Sequence, residues 1–154
     1  MRVITSGWRR WHESAANVSR LRIFMDVLLD LAQMSNEEEV QLIHGGAPGA
    51  DALVQQWWTD TNKSYNHLAI MLPEPLVFPA DWEQYRQAAG PIRNLQMVTA
   101  GADLAVVFVH PESKGTVDLR DKAQRAGIFT LQVDWVDDRL SRPKEDMGAL
   151  PRVA

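Results

Sequence analysis

The sequence contains no cysteine, which excludes disulfides, thiolate catalysis and cysteine-ligated zinc. It has no apolar run approaching the roughly 18 residues of a membrane span, and its N-terminus lacks the apolar core of a signal peptide. It has no excess of positive charge either, since 16 Lys and Arg face 20 Asp and Glu, a formal net charge of −4. These absences predict a soluble cytoplasmic protein that binds neither a membrane nor nucleic acid.

What the chain does contain is an alternation of strand-like runs and segments with helical periodicity. Residues 104–109 read LAVVFV, an unbroken apolar run typical of a parallel strand covered by helices on both faces. The third run is ambiguous, since either 68–72 or 76–78 fits a strand and prolines separate them. Parallel strands require crossover connections, usually helices. The pattern therefore predicts an α/β protein, a Rossmann-like three-layer sandwich with a central, mainly parallel five-stranded sheet.

A chain of 154 residues has the length of one domain with a sizeable core. We expect a single Rossmann-like domain over residues 1–133. The tail, residues 134–154, mixes Asp, Arg and Pro without clear periodicity. We expect this tail to be packed or partly disordered.

Local patterns also predict helices. From Ser14 onward, apolar residues at steps of three and four indicate one buried helix face: Leu21, Phe24, Leu28 and Leu31. Asp81 followed by Gln84 resembles a capping box and predicts the start of a short helix. Pro91 suits the first turn of another helix.

In parallel sheets, ligands bind beyond the carboxyl ends of the strands, where the strand order reverses. Three loops follow predicted strands at that edge: Ser6–Trp8, His44–Asp51 and His110–Thr116. We expect these loops to converge in space.

The glycine loop, which we define as residues 44–51 (HGGAPGAD), connects a strand to a helix. Gly45, Gly46 and Gly49 have a GGxxG spacing that matches neither a dinucleotide fingerprint nor a Walker A motif. The loop is therefore either a phosphate cradle at a helix N-terminus or a tight turn. Asp51 would favour the helix dipole, bind a ribose hydroxyl or order the loop.

Two further segments suggest an anion site. Gly115 and Thr116 open the helix after the apolar strand, where Thr116 is a plausible N-cap. If Pro91 starts its helix, Arg93 lies in the first turn, where a cation is disfavoured unless an anion or a carboxylate is nearby. Asn94 beside it can donate a hydrogen bond to phosphate or a sugar.

The aromatic and histidine residues leave alternatives open. The run Trp8-Arg9-Arg10-Trp11 can stack on a base, cover the sheet edge or form an oligomer contact. His44 and His110 both end strands, but two histidines without a defined carboxylate partner do not indicate a metal site. We expect no metal and no cofactor.

The longer motifs of the chain read HGGAPGADAL at 44–53, FPADWEQYRQAAGPIRNLQM at 78–97, GADLAVVF at 101–108 and GTVDLRDKAQRAGI at 115–128. Together they resemble the YspA/YpsA-related branch of the SLOG superfamily, relatives of the LOG (lysine-decarboxylase-like) proteins and of the DNA-processing protein DprA. The resemblance implies a pocket for nucleotides or nucleotide-derived ligands, such as nucleoside monophosphates or ADP-ribose-type signals. It also permits a homodimer, as in LOG relatives, and small stand-alone members occur in phage genomes.

The resemblance implies two candidate catalytic residues, because LOG enzymes cleave the N-glycosidic bond of nucleoside monophosphates with an Arg and a Glu. Arg93 is similar in placement to that Arg, and Asp118 stands where the Glu would be. The shorter Asp side chain, and His110–Lys114 in place of a diglycine, depart from the family pattern.

These observations predict a domain that binds a nucleotide-derived ligand at the carboxyl edge of the sheet, as a sensor or sequestering module. The predicted ligand-binding residues are Ser6, Gly7, Trp8, His44, Gly45, Gly46, Gly49, Asp51, Arg93, Asn94, Gly115 and Thr116. The alternatives are a phosphoribohydrolase-like enzyme that uses Arg93 and Asp118, and DprA-like single-strand DNA binding through Trp8–Trp11.

Overall fold

A computed structural model describes residues 1–64 and 69–138 of the chain. The strands in this part are β1 (Arg2–Gly7), β2 (Gln41–His44), β3 (Leu76–Val77), β4 (Leu104–Val109) and β5 (Phe129–Asp134). The α-helices are α1 (Ala15–Met34), α2 (Ala50–Ser64), α3 (Trp82–Tyr85), α4 (Ala89–Ala100) and α5 (Lys114–Arg125). Two short 3-10 helices, Trp11–Glu13 and Arg86–Ala88, precede α1 and α4.

The five strands form one sheet in the order β3-β2-β1-β4-β5, and all four pairings are parallel. The direction of winding reverses between β1 and β4, where Gly7 lies opposite Phe108. The chain is therefore a Rossmann-like α/β protein, as predicted from the alternation of its strands and helices. The reversal places a crevice beyond the carboxyl ends of β1 and β4.

Helices cover the sheet on both faces, and each face has its own apolar core. Val3, Leu42, Val106 and Phe108 pack with residues of α1 and α2 on one face. Ile4, Ile43, Ala105 and Val107 pack with residues of α4 and α5 on the other. Four consecutive residues of β4 are fully buried because alternate side chains point into the two cores. This explains why β4 reads as an unbroken apolar run.

The third strand is the later of the two predicted segments. β3 pairs with β2 through Ile43 opposite Leu76 and His44 opposite Val77. In the earlier segment, Met71 forms only an isolated bridge with Glu39. Leu68, the first residue of that segment, lies outside the described residues.

The first helix begins where the sequence predicts, but its buried face is rotated. The Ser14 side chain accepts a hydrogen bond from the Asn17 N–H and caps α1. The buried apolar residues of α1 are Leu21, Met25, Leu28, Leu29 and Ala32. Leu31, predicted to be buried, is 57% exposed. The buried stripe follows i, i+4, i+7 and i+8 from Leu21, and Leu31 at i+10 lies outside this stripe.

Two predicted helix starts are wrong by about one turn or less. Asp81 does cap α3, accepting from the Gln84 N–H at 2.9 Å. However, α4 begins at Ala89 rather than Pro91, which places Arg93 in the second turn instead of the first. Proline is accommodated because the first N–H groups of a helix lack intrahelical acceptors anyway. Similarly, α5 begins at Lys114 with Ser113 as its N-cap, so Thr116 is not the cap.

Residues 135–138 continue from β5 onto α1, where the Asn17 side chain donates to the Val136 carbonyl at 2.7 Å. Trp135 packs against the core between α1, α2 and the sheet. The rest of the predicted tail, 139–154, lies outside the described residues. No helix in the described part is both long and apolar enough to cross a membrane.

Candidate functional site

A cavity of about 670 Å³ opens at the carboxyl edge of the sheet, beside the point where the strand order reverses. A volume of this size is typical of small-molecule and cofactor sites. The cavity brings together the ends of β1 and the starts of α2, α4 and α5. It is lined by Ser6, Gly7, Trp8, Arg9, Arg10, Ala47, Asp51, Trp82, Gly90, Pro91, Arg93, Asn94, Glu112, Ser113, Lys114, Gly115, Thr116 and Asp118.

The glycine loop is closed by its own aspartate. Asp51 lies in the first turn of α2, and its Oδ2 accepts from the N–H of Gly45 at 3.1 Å and of Ala47 at 3.2 Å. The second oxygen, Oδ1, is buried and has no hydrogen-bond partner among the described residues. Burial raises the pKa of the Asp51 carboxyl, and the neighbouring His44, the two N–H groups and Arg93 oppose that rise.

His44 holds the same loop from the other side. The N–H of Gly46 donates to its Nδ1 at 3.0 Å, so Nδ1 is the unprotonated nitrogen. Its Nε2–H then donates to the Gln55 side-chain oxygen at 2.9 Å. The imidazole is buried and has both nitrogens engaged in hydrogen bonds, which gives it a structural role in the loop.

The glycines of this region let protein segments approach one another closely. A Cβ on Gly7 would lie 2.4 Å from the Cβ of Ala50, and one on Gly45 would lie 1.8 Å from Arg93 Nη1. Gly49 has φ +82°, and a Cβ there would lie 2.4 Å from the backbone of Arg9. These contacts dock β1, α2 and the Arg9 segment together. They explain the glycines by packing within the protein.

Arg93 connects the glycine loop to α5 through a chain of hydrogen bonds. Its Nη1 donates to the Gly45 carbonyl at 2.8 Å, and its Nε donates to the Asn94 side-chain oxygen at 3.1 Å. Asn94 in turn donates to the Gly115 carbonyl at 3.0 Å and to Asp118 at 2.9 Å. Lys122 also pairs with both carboxylate oxygens of Asp118. Burial lowers the pKa of the Arg93 guanidinium, and Asp51 opposes that shift.

The start of α5 is arranged differently from the start of α2. Ser113 occupies the N-cap position of α5, but its side chain does not bond to the helix. Its hydroxyl instead donates to the His110 carbonyl and accepts from the His110 N–H. Among the described residues, no acceptor is bonded to the N–H groups of Gly115 and Thr116. A Cβ on Gly115 would meet nothing within 4 Å. The first turn of α5 thus presents free donors and open space to the cavity.

Two aromatic residues, Trp8 and Trp82, line the cavity. Trp8 stacks on His110 with ring centroids 3.6 Å apart, and the guanidinium of Arg10 lies 5.6 Å from its centroid. Trp82 stands at the rim, with the guanidinium of Arg9 5.2 Å from its centroid. Trp11 is instead fully buried and donates its indole N–H to the Asn17 carbonyl.

Of the residues predicted to form the site, nine line the cavity: Ser6, Gly7, Trp8, Asp51, Arg93, Asn94, Gly115, Thr116 and Asp118. His44, Gly45, Gly46 and Gly49 shape the neighbouring loop but do not line it. Whether any of these residues contacts a ligand stays a prediction. The sequence analysis considered Arg9 only as part of the run Trp8–Trp11 that can stack on a base, and it missed Trp82, which lies in the ADW motif.

The fold and this cavity define the chain as a Rossmann-like parallel α/β domain with a ligand-sized cleft at its topological switch point. The gene 61 protein of Mycobacterium phage D29 is 35% identical to the chain over 128 residues, covering 82% of this chain and 91% of that protein. The chain therefore belongs to the same family as that phage protein. No protein-family model matches the chain.

Proposed function

We propose that this domain binds a nucleotide or nucleotide-derived ligand, with its phosphate at the start of α5, and that it serves as a sensor or sequestering module. The observation that carries the proposal is the uncapped first turn of α5, whose Gly115 and Thr116 N–H groups face a cavity of about 670 Å³. Free N–H groups and the positive end of the helix dipole favour an anion. The absent side chain at Gly115 leaves room for the anion to approach the backbone.

The basic side chains at the cavity also suit an anion. Arg9, Arg93 and Lys114 line it and form no ion pair within the described part of the chain. Three carboxylates also line the cavity. Asp118 pairs with Lys122, burial raises the pKa of Asp51, and Glu112 forms no ion pair within the described residues. The cavity is thus locally basic although the whole chain has a net charge of −4.

We further propose that the family of the phage protein is a branch of the SLOG superfamily. Parts of three motifs that carry the resemblance meet at the carboxyl edge of the sheet. The glycine loop, the AGPIRN segment at the start of α4 and Gly115-Thr116 at the start of α5 surround the same cavity or the loop beside it. Their placement supports a shared ligand site.

Binding is favoured over hydrolysis because of the environment of Asp118. An N-glycosidic hydrolase needs a carboxylate that is free to stabilise an oxocarbenium-like ribose or to activate water. Asp118 already accepts hydrogen bonds from Lys122 and Asn94. These bonds compete with any contact between the carboxylate and a substrate.

Single-strand DNA binding is less favoured because the tryptophans proposed to stack on bases already pack within the protein. Trp11 is buried, and Trp8 is stacked on His110. Bases require exposed aromatic faces on which to stack. The acidic balance of the chain adds to this argument.

The test is to incubate the protein with nucleoside monophosphates and ADP-ribose while measuring its melting temperature and any release of free base. A ligand at 100 times its Kd should stabilise the fold by about 2.7 kcal/mol. We expect stabilisation without base release. Base release that disappears in Asp118→Asn would support the hydrolase instead, and no response to any compound would refute both.

A pair of matched variants locates the site. Arg93→Lys should reduce the ligand-induced stabilisation, because lysine cannot reproduce the donors in the guanidinium geometry. Arg22→Lys is the control, since Arg22 pairs with Asp60 and does not line the cavity. Equal ligand responses in the two variants would contradict the proposed site.

A further inference from the structure

We infer that Arg9 and Trp82 form a base clamp, a planar pair at the mouth of the cavity that recognises the aromatic base of the ligand. This inference rests on the proposed function, since it assigns the part of the ligand that lies away from the start of α5. It makes the site selective for nucleotides over sugar phosphates and inorganic phosphate. The pair is built by contacts between distant parts of the chain.

Trp82 differs from the other tryptophans in its surroundings. All six tryptophans lie in the described part of the chain, and Trp82 alone is exposed, with 46% of its surface accessible. The indole N–H groups of Trp11, Trp57 and Trp58 each donate to a protein oxygen. That of Trp82, like those of the less exposed Trp8 and Trp135, has no such acceptor among the described residues. The indole N–H and the ring face that Arg9 does not cover are therefore free to contact a ligand in the cavity that Trp82 lines.

Arg9 is the second half of the pair. Its guanidinium lies 5.2 Å from the Trp82 ring centroid, within the range of a cation–π contact. The adjacent Arg10, in contrast, is held by Glu13 through two hydrogen bonds of 2.7 and 2.8 Å. Arg9 thus presents a planar cation beside an aromatic ring, and both kinds of surface stack on nucleobases.

The two residues are positioned by contacts with different segments of the chain. The backbone of Arg9 packs directly on Gly49, where no side chain could be accommodated. Trp82 opens α3 after the Asp81 cap, and its Cη2 lies 3.5 Å from the position of a Cβ on Gly90. Gly49 therefore contributes to the site by placing Arg9, without itself lining the cavity.

The test compares ligands with and without a base. Affinities of the wild type, Trp82→Ala and Trp82→Phe would be measured calorimetrically for the four nucleoside monophosphates, ADP-ribose and ribose 5-phosphate. We expect Trp82→Ala to weaken the tightest nucleotide roughly tenfold while leaving ribose 5-phosphate unchanged, because stacking on one aromatic ring is lost. Trp82→Phe should retain most of the affinity, since phenylalanine keeps an aromatic face.

Tyr85→Ala is the matched control, because Tyr85 is an exposed aromatic residue of the same short helix that does not line the cavity. It should bind all ligands like the wild type. If Trp82→Ala binds nucleotides as the wild type does, or loses nucleotides and ribose 5-phosphate equally, the base clamp is wrong while the proposed function stands. If the wild type binds no nucleotide at all, both are overturned.

Discussion

Replacing Asp51 by alanine removes the only side-chain acceptor of two loop N–H groups within the described residues. The N–H of Gly45 is buried, and a buried donor left unsatisfied costs about 1–3 kcal/mol. The N–H of Ala47 is partly buried beside the cavity, so water can compensate part of its loss. We therefore expect Asp51→Ala to lower the free energy of unfolding by about 2–4 kcal/mol.

Asp51→Asn tests the hydrogen bonds of the side chain separately from its ionisable carboxyl group. Its amide oxygen can accept from the same two N–H groups, so we expect it to stay within about 1 kcal/mol of the wild type. The measurement is urea unfolding at neutral pH followed by far-UV circular dichroism, with linear extrapolation to water. A loss in Asp51→Ala below about 0.5 kcal/mol would refute the reasoning, since that is the range of an ordinary surface substitution.

Three further outcomes follow from the same contacts. Because burial raises the pKa of Asp51, its stabilising contribution is fully present below its ordinary value of about 3.9 and is lost as the pH rises through the folded-state pKa. When urea titrations are repeated from acid to neutral pH, the stability of Asp51→Asn should therefore rise relative to that of the wild type. The stability of Asp60→Asn should instead fall relative to the wild type, because the pKa of the Asp60 carboxyl is lowered in the folded protein. Gly115→Ala should stabilise the fold by up to about 1 kcal/mol, since alanine is the better helix former. The same variant should weaken nucleotide binding in calorimetry, because its methyl group enters the proposed anion site. Gly45→Ala should unfold about 1–3 kcal/mol more easily by displacing Arg93 from the Gly45 carbonyl, and equal stability of the two alanine variants would contradict these glycine assignments.

The arrangement of helices and strands followed from local pattern. The apolar run of β4 indicated a strand with two buried faces, and the alternation with helices indicated a parallel sheet. Because parallel strands end at the same edge, the residues after β1, β2 and β4 could be expected to lie near one another. Ser6, Asp51 and Thr116 do line one cavity.

The roles of those residues depended on partners that local pattern does not reveal. The glycine loop had the composition of a phosphate cradle, but the N–H groups of Gly45, Gly46 and Ala47 are occupied by Asp51 and His44. The free donors lie instead at the start of α5, where the predicted cap, Thr116, is inside the helix. A helix start can shift by a residue or two without changing the apolar pattern from which it was predicted.

The sequence by itself thus determined the architecture of this protein and the edge of the sheet at which the cavity lies, because strand and helix periodicities are local properties. Only the tertiary structure decided which donors are free, why Gly45 and Gly49 lack side chains and which aromatic ring faces the cavity. The packing at the two glycines arises from contacts between residues about 40 or more positions apart, namely Arg93 with Gly45 and Arg9 with Gly49. Such contacts form only once the parallel sheet has brought the loops together.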